Sequence, residues 1–237
     1  MDWNNYRAAL FDLDGVLTPT TDIHMRAWTQ MFNAFLAGRG DEEPFTDDDY
    51  FAYVDGKPRY EGVASFLASR GIQLEYGEPD DAPTTETVAG LGNRKNQVFN
   101  QVLAEDGIAP YPGSMALIEA LRTAGVPMAV VSSSRNAPAV LTAAGLTEFF
   151  GTVIDGNAAA ELGLPGKPKP DTFLHAAWQL QVAPEECVVL EDALSGVEAA
   201  RAGGFGLVVG VDRGAGADEL ASAGANLVIA DCAELLP

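Results

Sequence analysis

The chain is poor in the residues that most often hold soft metals or nucleic acids. It has two cysteines, two histidines and 14 basic residues in a length of 237. The lone cysteines Cys187 and Cys232 have no CxxC spacing, which excludes a zinc site and a disulfide framework. Cys187 heads the apolar run CVVL and reads as a buried thiol. Set against 34 acidic residues, the 14 basic ones leave a formal charge of −20. Such a surface repels nucleic acid and anionic membrane, so any phosphate site must be built locally, against the protein's own field. No apolar run approaches a membrane span, and MDWNNYRAAL lacks a basic-then-apolar leader pattern, so the expected location is the cytoplasm. The 47% share of hydrophobic residues is ordinary for a globular chain and argues against disorder. No internal repeat is present.

What is there has a clear order. From Pro110 onward, short apolar runs alternate with helical patterns. The runs are 126–131, 152–154, 187–190, 205–211 and 226–230, and the helices are expected over 114–124, 137–144, 171–180, 194–202 and 218–223. Glycines 125, 145 and 203 are placed to stop helices. Continuous apolar strands alternating with helices predict a doubly wound parallel sheet. Between residues 20 and 105 no strand is evident, and helices are expected over 22–36, 47–54, 61–69 and 85–105, with an exposed loop over 76–84. A first strand over 7–11 therefore precedes an all-helical insertion. The expected division is an α/β core of residues 1–18 and 108–237 and a helical domain of residues 19–107.

Ligands of open parallel sheets bind beyond the carboxyl ends of the strands. At that edge the sequence places Asp12 and Asp14 after the first run, Ser132, Ser133 and Ser134 after Val131, and Glu191 and Asp192 after Leu190, with Lys167 in the loop GKPKPD. Four carboxylates on one edge raise one another's pKa and destabilise the fold unless a cation neutralises them. An all-oxygen set suits Mg²⁺, which favours one or two carboxylates together with a phosphate. That combination describes a phosphoryl-transfer site. Asp12 is then the nucleophile and Asp14 the general acid/base, with the Asp14 backbone carbonyl a further metal ligand. A bare DxD can equally be a turn with side-chain caps; the accompanying Ser, Lys and Glu-Asp at successive strand ends argue for chemistry.

FDLDGVLT, the serine after the second strand, Lys167 in GKPKPD and VVLEDALSG together resemble the four motifs of the haloacid dehalogenase superfamily. The aspartate at the second DxD position suits phosphatases and mutases and argues against dehalogenases. Members with an insertion after the first strand carry a helical cap over the site. More finely, the chain resembles the β-phosphoglucomutase-like subfamily. The matches are Thr20, His24 and Trp28 in the N-terminal signature, Gly56 and Arg59 in GKPR, Lys95 and Asn96 in RKN, and Ser132, Ser133, Ser134, Arg135 and Asn136 in SSSRN. The resemblance implies Mg²⁺ as cofactor. It implies glucose 1-phosphate, glucose 6-phosphate and glucose 1,6-bisphosphate as small-molecule partners, and a monomer. It assigns Arg59 and Lys95 to a remote phosphate and His24 to positioning Asp14. Trp28 also has a plain reading as packing, and Arg59 and Lys95 one as solvated surface. Lys169 is expected on the surface, and Phe32 and Phe35 in the core. The chain departs from the subfamily at Pro19, where an acid is common, and at Asp55, where a lysine is expected before Gly56. The stretch 76–89 is also longer. A sugar-phosphate phosphatase using the same aspartyl-phosphate is the alternative.

Overall fold

The structure, a computed structural model, describes residues 1–40 and 43–237. The chain folds as two compact units, one formed by Met1–Pro19 with Ile108–Pro237 and the other by Thr20–Gly107.

Strand β1 (Ala8–Phe11) opens the first unit. The helical unit follows, with α1 (Thr20–Ala37), α2 (Asp47–Asp49), α3 (Arg59–Ser69) and α4 (Val88–Asp106). The chain then alternates through α5 (Pro112–Ala124), β2 (Met128–Val131), α6 (Ala137–Ala143), β3 (Thr152–Ile154), α7 (Gly156–Leu162) and α8 (Asp171–Leu180). It ends with β4 (Cys187–Glu191), α9 (Leu194–Ala202), β5 (Leu207–Val211), α10 (Ala217–Ala223) and β6 (Leu227–Ile229).

The six strands form one parallel sheet in the order β3-β2-β1-β4-β5-β6. This is the doubly wound architecture expected from the sequence. β1, β2 and β4 are buried along their whole length, so their runs are continuously apolar rather than alternating. Phe11 pairs with Val130 on one side and Leu190 on the other. The ends of β1, β2 and β4 therefore lie level. The strand order reverses between β1 and β4, the position where ligands of such sheets bind. Phe173, Ala176 and Ala177 of α8 join Leu10, Ala129 and Val189 in the core over one face.

Several element boundaries differ from expectation for local reasons. α4 starts at Val88 rather than residue 85, because the Thr87 hydroxyl accepts from Gly90 N (3.0 Å) and caps the helix there. The stretch 47–54 is one α-helical turn followed by a π-helical turn over Tyr50–Val54. α7 was not expected: its sequence GNAAAEL has no apolar stripe, and it is nucleated by the Asp155 carboxylate, which caps Asn157 and Ala158. Gly203 has φ −77°, and its neighbour Gly204 takes the left-handed conformation instead.

The helical unit has its own core. Phe32 lies at its centre, with ring centroids 4.2 Å from Phe66, 4.9 Å from Phe45 and 5.3 Å from Trp28. Lys95 is buried here and not solvated. Phe32→Ala removes the common member of these contacts and is expected to destabilise the unit by about 3–5 kcal/mol. Urea unfolding followed by Trp28 fluorescence, with Trp3 and Trp178 replaced by Phe, measures this. A loss below about 1 kcal/mol would show that the cluster does not organise the unit.

Candidate active site

Asp12 is the first residue beyond β1. Its amide donates to Leu190 O (2.9 Å), which extends the β1–β4 ladder by one bond and aims the carboxylate at the end of β4. The chain then turns sharply. Gly15 adopts φ +86° and donates to Thr18 O (2.8 Å), while Leu17 N and Thr18 N both donate to Leu13 O. This turn leaves Asp14 half-buried, with Ser132 Oγ 3.4 Å from Asp14 Oδ2.

Lys167 comes from the loop before α8 and is 2% exposed. Its ammonium donates to Asp12 Oδ1 (2.5 Å), Val131 O (3.1 Å) and Glu191 Oε1 (3.3 Å), so all three donors are used. Its Nζ stands 4.9 Å from the centroid of Phe173. Burial alone would lower the Lys167 pKa, but the Asp12 and Glu191 carboxylates outweigh it and hold the group well above its ordinary value. Glu191 also accepts from Asp192 N (3.2 Å) and lies against Gly196 of α9. A Cβ at Gly196 would sit 1.6 Å from Glu191 Oε1, so only glycine leaves room for the carboxylate. Gly196 is a site residue that the motif reading did not single out, although it lies in VVLEDALSG.

Asp12, Glu191 and Asp192 are all buried, and each offers a carboxylate oxygen within 4.8 Å of the others. Asp14's carboxylate lies outside that 4.8 Å group among the described residues, yet it is close enough to raise the Asp12 pKa. Three hard oxygen donors from one sheet edge fit a divalent cation of the Mg²⁺ class. Burial pushes the Asp12 carboxyl up to about 6, the Lys167 ammonium pulling it down and Asp14 pushing it up again. Ser132 is buried at the end of β2, and its hydroxyl accepts from Ser134 N (3.1 Å). Ser134 Oγ in turn accepts from Asn136 N (3.2 Å), and Asn157 Nδ2 donates to Arg135 O (2.9 Å). Residues 132–136 therefore form an ordered turn beside the cluster, with 133–136 half-buried.

The helical unit holds a second group of the expected residues. Arg59, at the start of α3, donates from Nη2 to Asn96 Oδ1 of α4 (2.8 Å). Lys95 is 3% exposed, with Nζ 2.5 Å from His24 Nδ1. An ammonium can only donate, so Nδ1 is the acceptor and the imidazole proton belongs on Nε2. The ammonium also lies 5.1 Å from the centroid of Trp28 and 4.9 Å from that of Phe99. Trp28 thus both packs on Phe32 and borders Lys95. Thr20 is fully buried at the start of α1, and Gly56 (φ +68°) forms the turn before α3. Lys57, next to Gly56, donates to Ser65 Oγ (2.9 Å). Lys169 is exposed.

Residues 6–204 match the model of the haloacid dehalogenase-like hydrolases. A β-phosphoglucomutase of Mycobacterium tuberculosis is 49% identical over 239 residues, covering 97% of this chain and 91% of that protein. The β-phosphoglucomutase of Clostridium difficile superposes with a TM-score of 0.78 at 26% identity, covering 97% of this chain and 93% of that one. A mutant of CbbY from Rhodobacter sphaeroides, solved in complex with xylulose-1,5-bisphosphate, superposes with a TM-score of 0.75 at 29% identity, covering 97% and 96%.

The Asp12 value sets a pH test of the carboxylate cluster. A folded-state pKa above the ordinary 3.8 means that the folded protein holds the extra proton, a stabilisation lost as pH rises through about 6. A divalent cation competes with that proton for the same oxygens. Thermal melts with and without magnesium chloride should therefore show a larger rise in Tm above pH 6 than below it. An equal rise on both sides would contradict cation binding at Asp12.

Proposed function

The chain belongs to the haloacid dehalogenase-like hydrolase family, and we propose that within it this enzyme is a Mg²⁺-dependent mutase interconverting β-glucose 1-phosphate and glucose 6-phosphate through an aspartyl-phosphate on Asp12. The observation that carries this reading is the second cationic group in the helical unit. A mutase handles a bisphosphate, so it needs a place for a phosphate that is not reacting, whereas a simple phosphatase has less need of one. In a chain of charge −20, Arg59 hydrogen-bonded to Asn96 and a buried Lys95 are an expensive arrangement if they serve only the surface.

The residues present divide the chemistry as follows. Asp12, the Asp14 carbonyl and Asp192, with Glu191 beside them, would hold the cation, which when bound neutralises charge on the transferring phosphoryl group. The Asp12 carboxylate carries the phosphoryl group. Asp14 takes the proton of the attacking sugar hydroxyl as its oxygen bonds to phosphorus and the phosphorus–oxygen bond to Asp12 breaks. In the second half, Asp12 accepts the other phosphoryl group of the bisphosphate and Asp14 returns the proton to the departing sugar oxygen. Ser132 and Lys167 hold the phosphoryl oxygens throughout. Arg59, with Asn96 and Lys95, binds the phosphate that is not in transfer. His24 fixes the orientation of Lys95. Ser133, Ser134, Arg135 and Asn136 shape the turn that presents Ser132, and Thr20, Trp28 and Gly56 complete the sugar-binding set.

A sugar-phosphate phosphatase is the second reading, and one observation favours it. Asp55 stands where a lysine is expected, and the neighbouring Lys57 is directed onto Ser65, with Glu61 close enough to interact. The helical unit therefore carries one phosphate-binding cation fewer than the resemblance implies. Incubation with β-glucose 1-phosphate, Mg²⁺ and a trace of glucose 1,6-bisphosphate separates the readings. Glucose 6-phosphate should accumulate without matching release of inorganic phosphate. Phosphate released in step with substrate loss, with no isomer formed, would make the enzyme a hydrolase. Asp12→Asn should abolish both activities while the protein stays folded. Arg59→Ala should lower kcat/KM for the sugar phosphate about 10- to 100-fold, the usual cost of a lost charged hydrogen bond. Unchanged kcat/KM in that variant would remove the second phosphate site.

A further inference from the structure

The turn that carries Asp14 is suspended by three successive carbonyls. Gly15 O accepts from Arg213 Nε (2.9 Å), Val16 O from Ser114 Oγ (2.6 Å) and Leu17 O from Tyr111 N (2.9 Å). Tyr111 caps α5, Ser114 lies in its first turn, and the third support comes from the loop after β5. Arg213 links them, since its guanidinium carbon lies 3.9 Å from the centroid of the Tyr111 ring. Its Nη1 donates to Ala230 O (2.9 Å) at the end of β6, which fixes the side chain from behind. The Arg213 loop is itself ordered, with Asp212 Oδ1 accepting from Gly214 N (2.9 Å) and Gly216 N (3.2 Å).

This use of an arginine is unusual here. The chain has 14 basic residues for 34 acidic ones, yet Arg213 spends its donors on backbone carbonyls and has no carboxylate partner among the described residues. Its Nη2 is buried and makes no hydrogen bond among the described residues, a cost a folded protein seldom carries without return. The Gly15 carbonyl belongs to the Gly15–Val16 peptide, and the peptide before it, which joins Asp14 to Gly15, is tied into the same turn by the bond from Gly15 N to Thr18 O. Holding this turn fixes the backbone from which the Asp14 carboxylate projects toward Ser132.

We propose that Arg213 is a positioning residue for Asp14: by holding the Gly15 carbonyl it sets the direction of the acid/base carboxylate relative to Asp12. This rests on the role given to Asp14 above, but not on the choice between mutase and phosphatase, because Asp14 moves the proton in both. A planar guanidinium stacked on an aromatic ring holds a carbonyl in one direction, whereas a lysine ammonium is a freely rotating point charge. Geometric support of this kind acts on the rate of the chemical step more than on substrate affinity.

The test compares Arg213→Gln and Arg213→Lys with the wild type by steady-state kinetics and by amide hydrogen exchange. In Arg213→Gln, kcat should fall about 10- to 100-fold while KM changes less than about threefold. Arg213→Lys should recover part of the loss. Exchange at the Gly15, Leu17 and Thr18 amides should speed up about tenfold or more, while Leu10, Val130 and Val189 keep their protection. Unchanged kcat together with unchanged exchange at 15–18 overturns the proposal. Loss of protection in the strands of both variants also overturns it, because Arg213 would then serve the fold as a whole. A wild type that hydrolyses or isomerises no phosphate ester would sink the functional reading instead, and exchange at 15–18 would still decide whether Arg213 holds the turn.

Discussion

The structure depends on one buried ammonium between two buried carboxylates. Lys167, Asp12 and Glu191 are each less than a tenth exposed, and the lysine spans the two acids. Burying such a group is costly, and the mutual attraction offsets that cost only if every donor and lone pair is used. Here the third donor goes to Val131 O, and Glu191's second oxygen accepts from Asp192 N. One positive charge for the acids of this edge still leaves the cluster short of neutral. Burial first, and the Asp14 charge after it, raise the pKa of Asp12 despite Lys167, which leaves an electrostatic opening for a cation and a phosphoryl group.

The sheet explains why these groups meet. Level strand ends bring Asp12, Ser132 and Glu191 to one edge from positions far apart in the chain. The loop before α8 delivers Lys167, with Phe173 of α8 beneath its ammonium, and α9 delivers Gly196, whose missing side chain makes room for Glu191. The helical unit is a separate electrostatic construction. There Arg59 donates to Asn96, and the Lys95 ammonium lies against His24 and two aromatic rings.

The carboxylate edge could be read from sequence because most of its groups directly follow an apolar run, and a parallel sheet gathers such positions by rule. Asp12, Asp14, Ser132, Glu191 and Asp192 all have that placement, and Lys167 has a helix start behind it. What sequence could not disclose depends on contacts between distant residues. Gly196 matters only because Glu191 occupies the space of its absent Cβ, and Arg213 only because its guanidinium meets a carbonyl 198 residues earlier. The resemblance points to Lys95 as a phosphate ligand, but its burial is not legible, because nothing nearby in sequence announces that His24, Trp28 and Phe99 surround it. The fold followed the same division. Strands with continuous apolar runs were legible, whereas α7, held by the Asp155 cap and built of small residues, carried no periodic signal.

The central claim is that Asp12 accepts a phosphoryl group while a cation shares its carboxylate with Asp192. A crystal structure determined with magnesium and beryllium fluoride, a mimic of the phosphoryl group, tests it most directly. The expected density is a trifluoroberyllate bonded to one Asp12 oxygen, with the cation on the other and on Asp192, and Lys167 turned to the fluorides. A bare Asp12 still paired with Lys167, with magnesium and fluoride present and the cluster empty, would contradict the account.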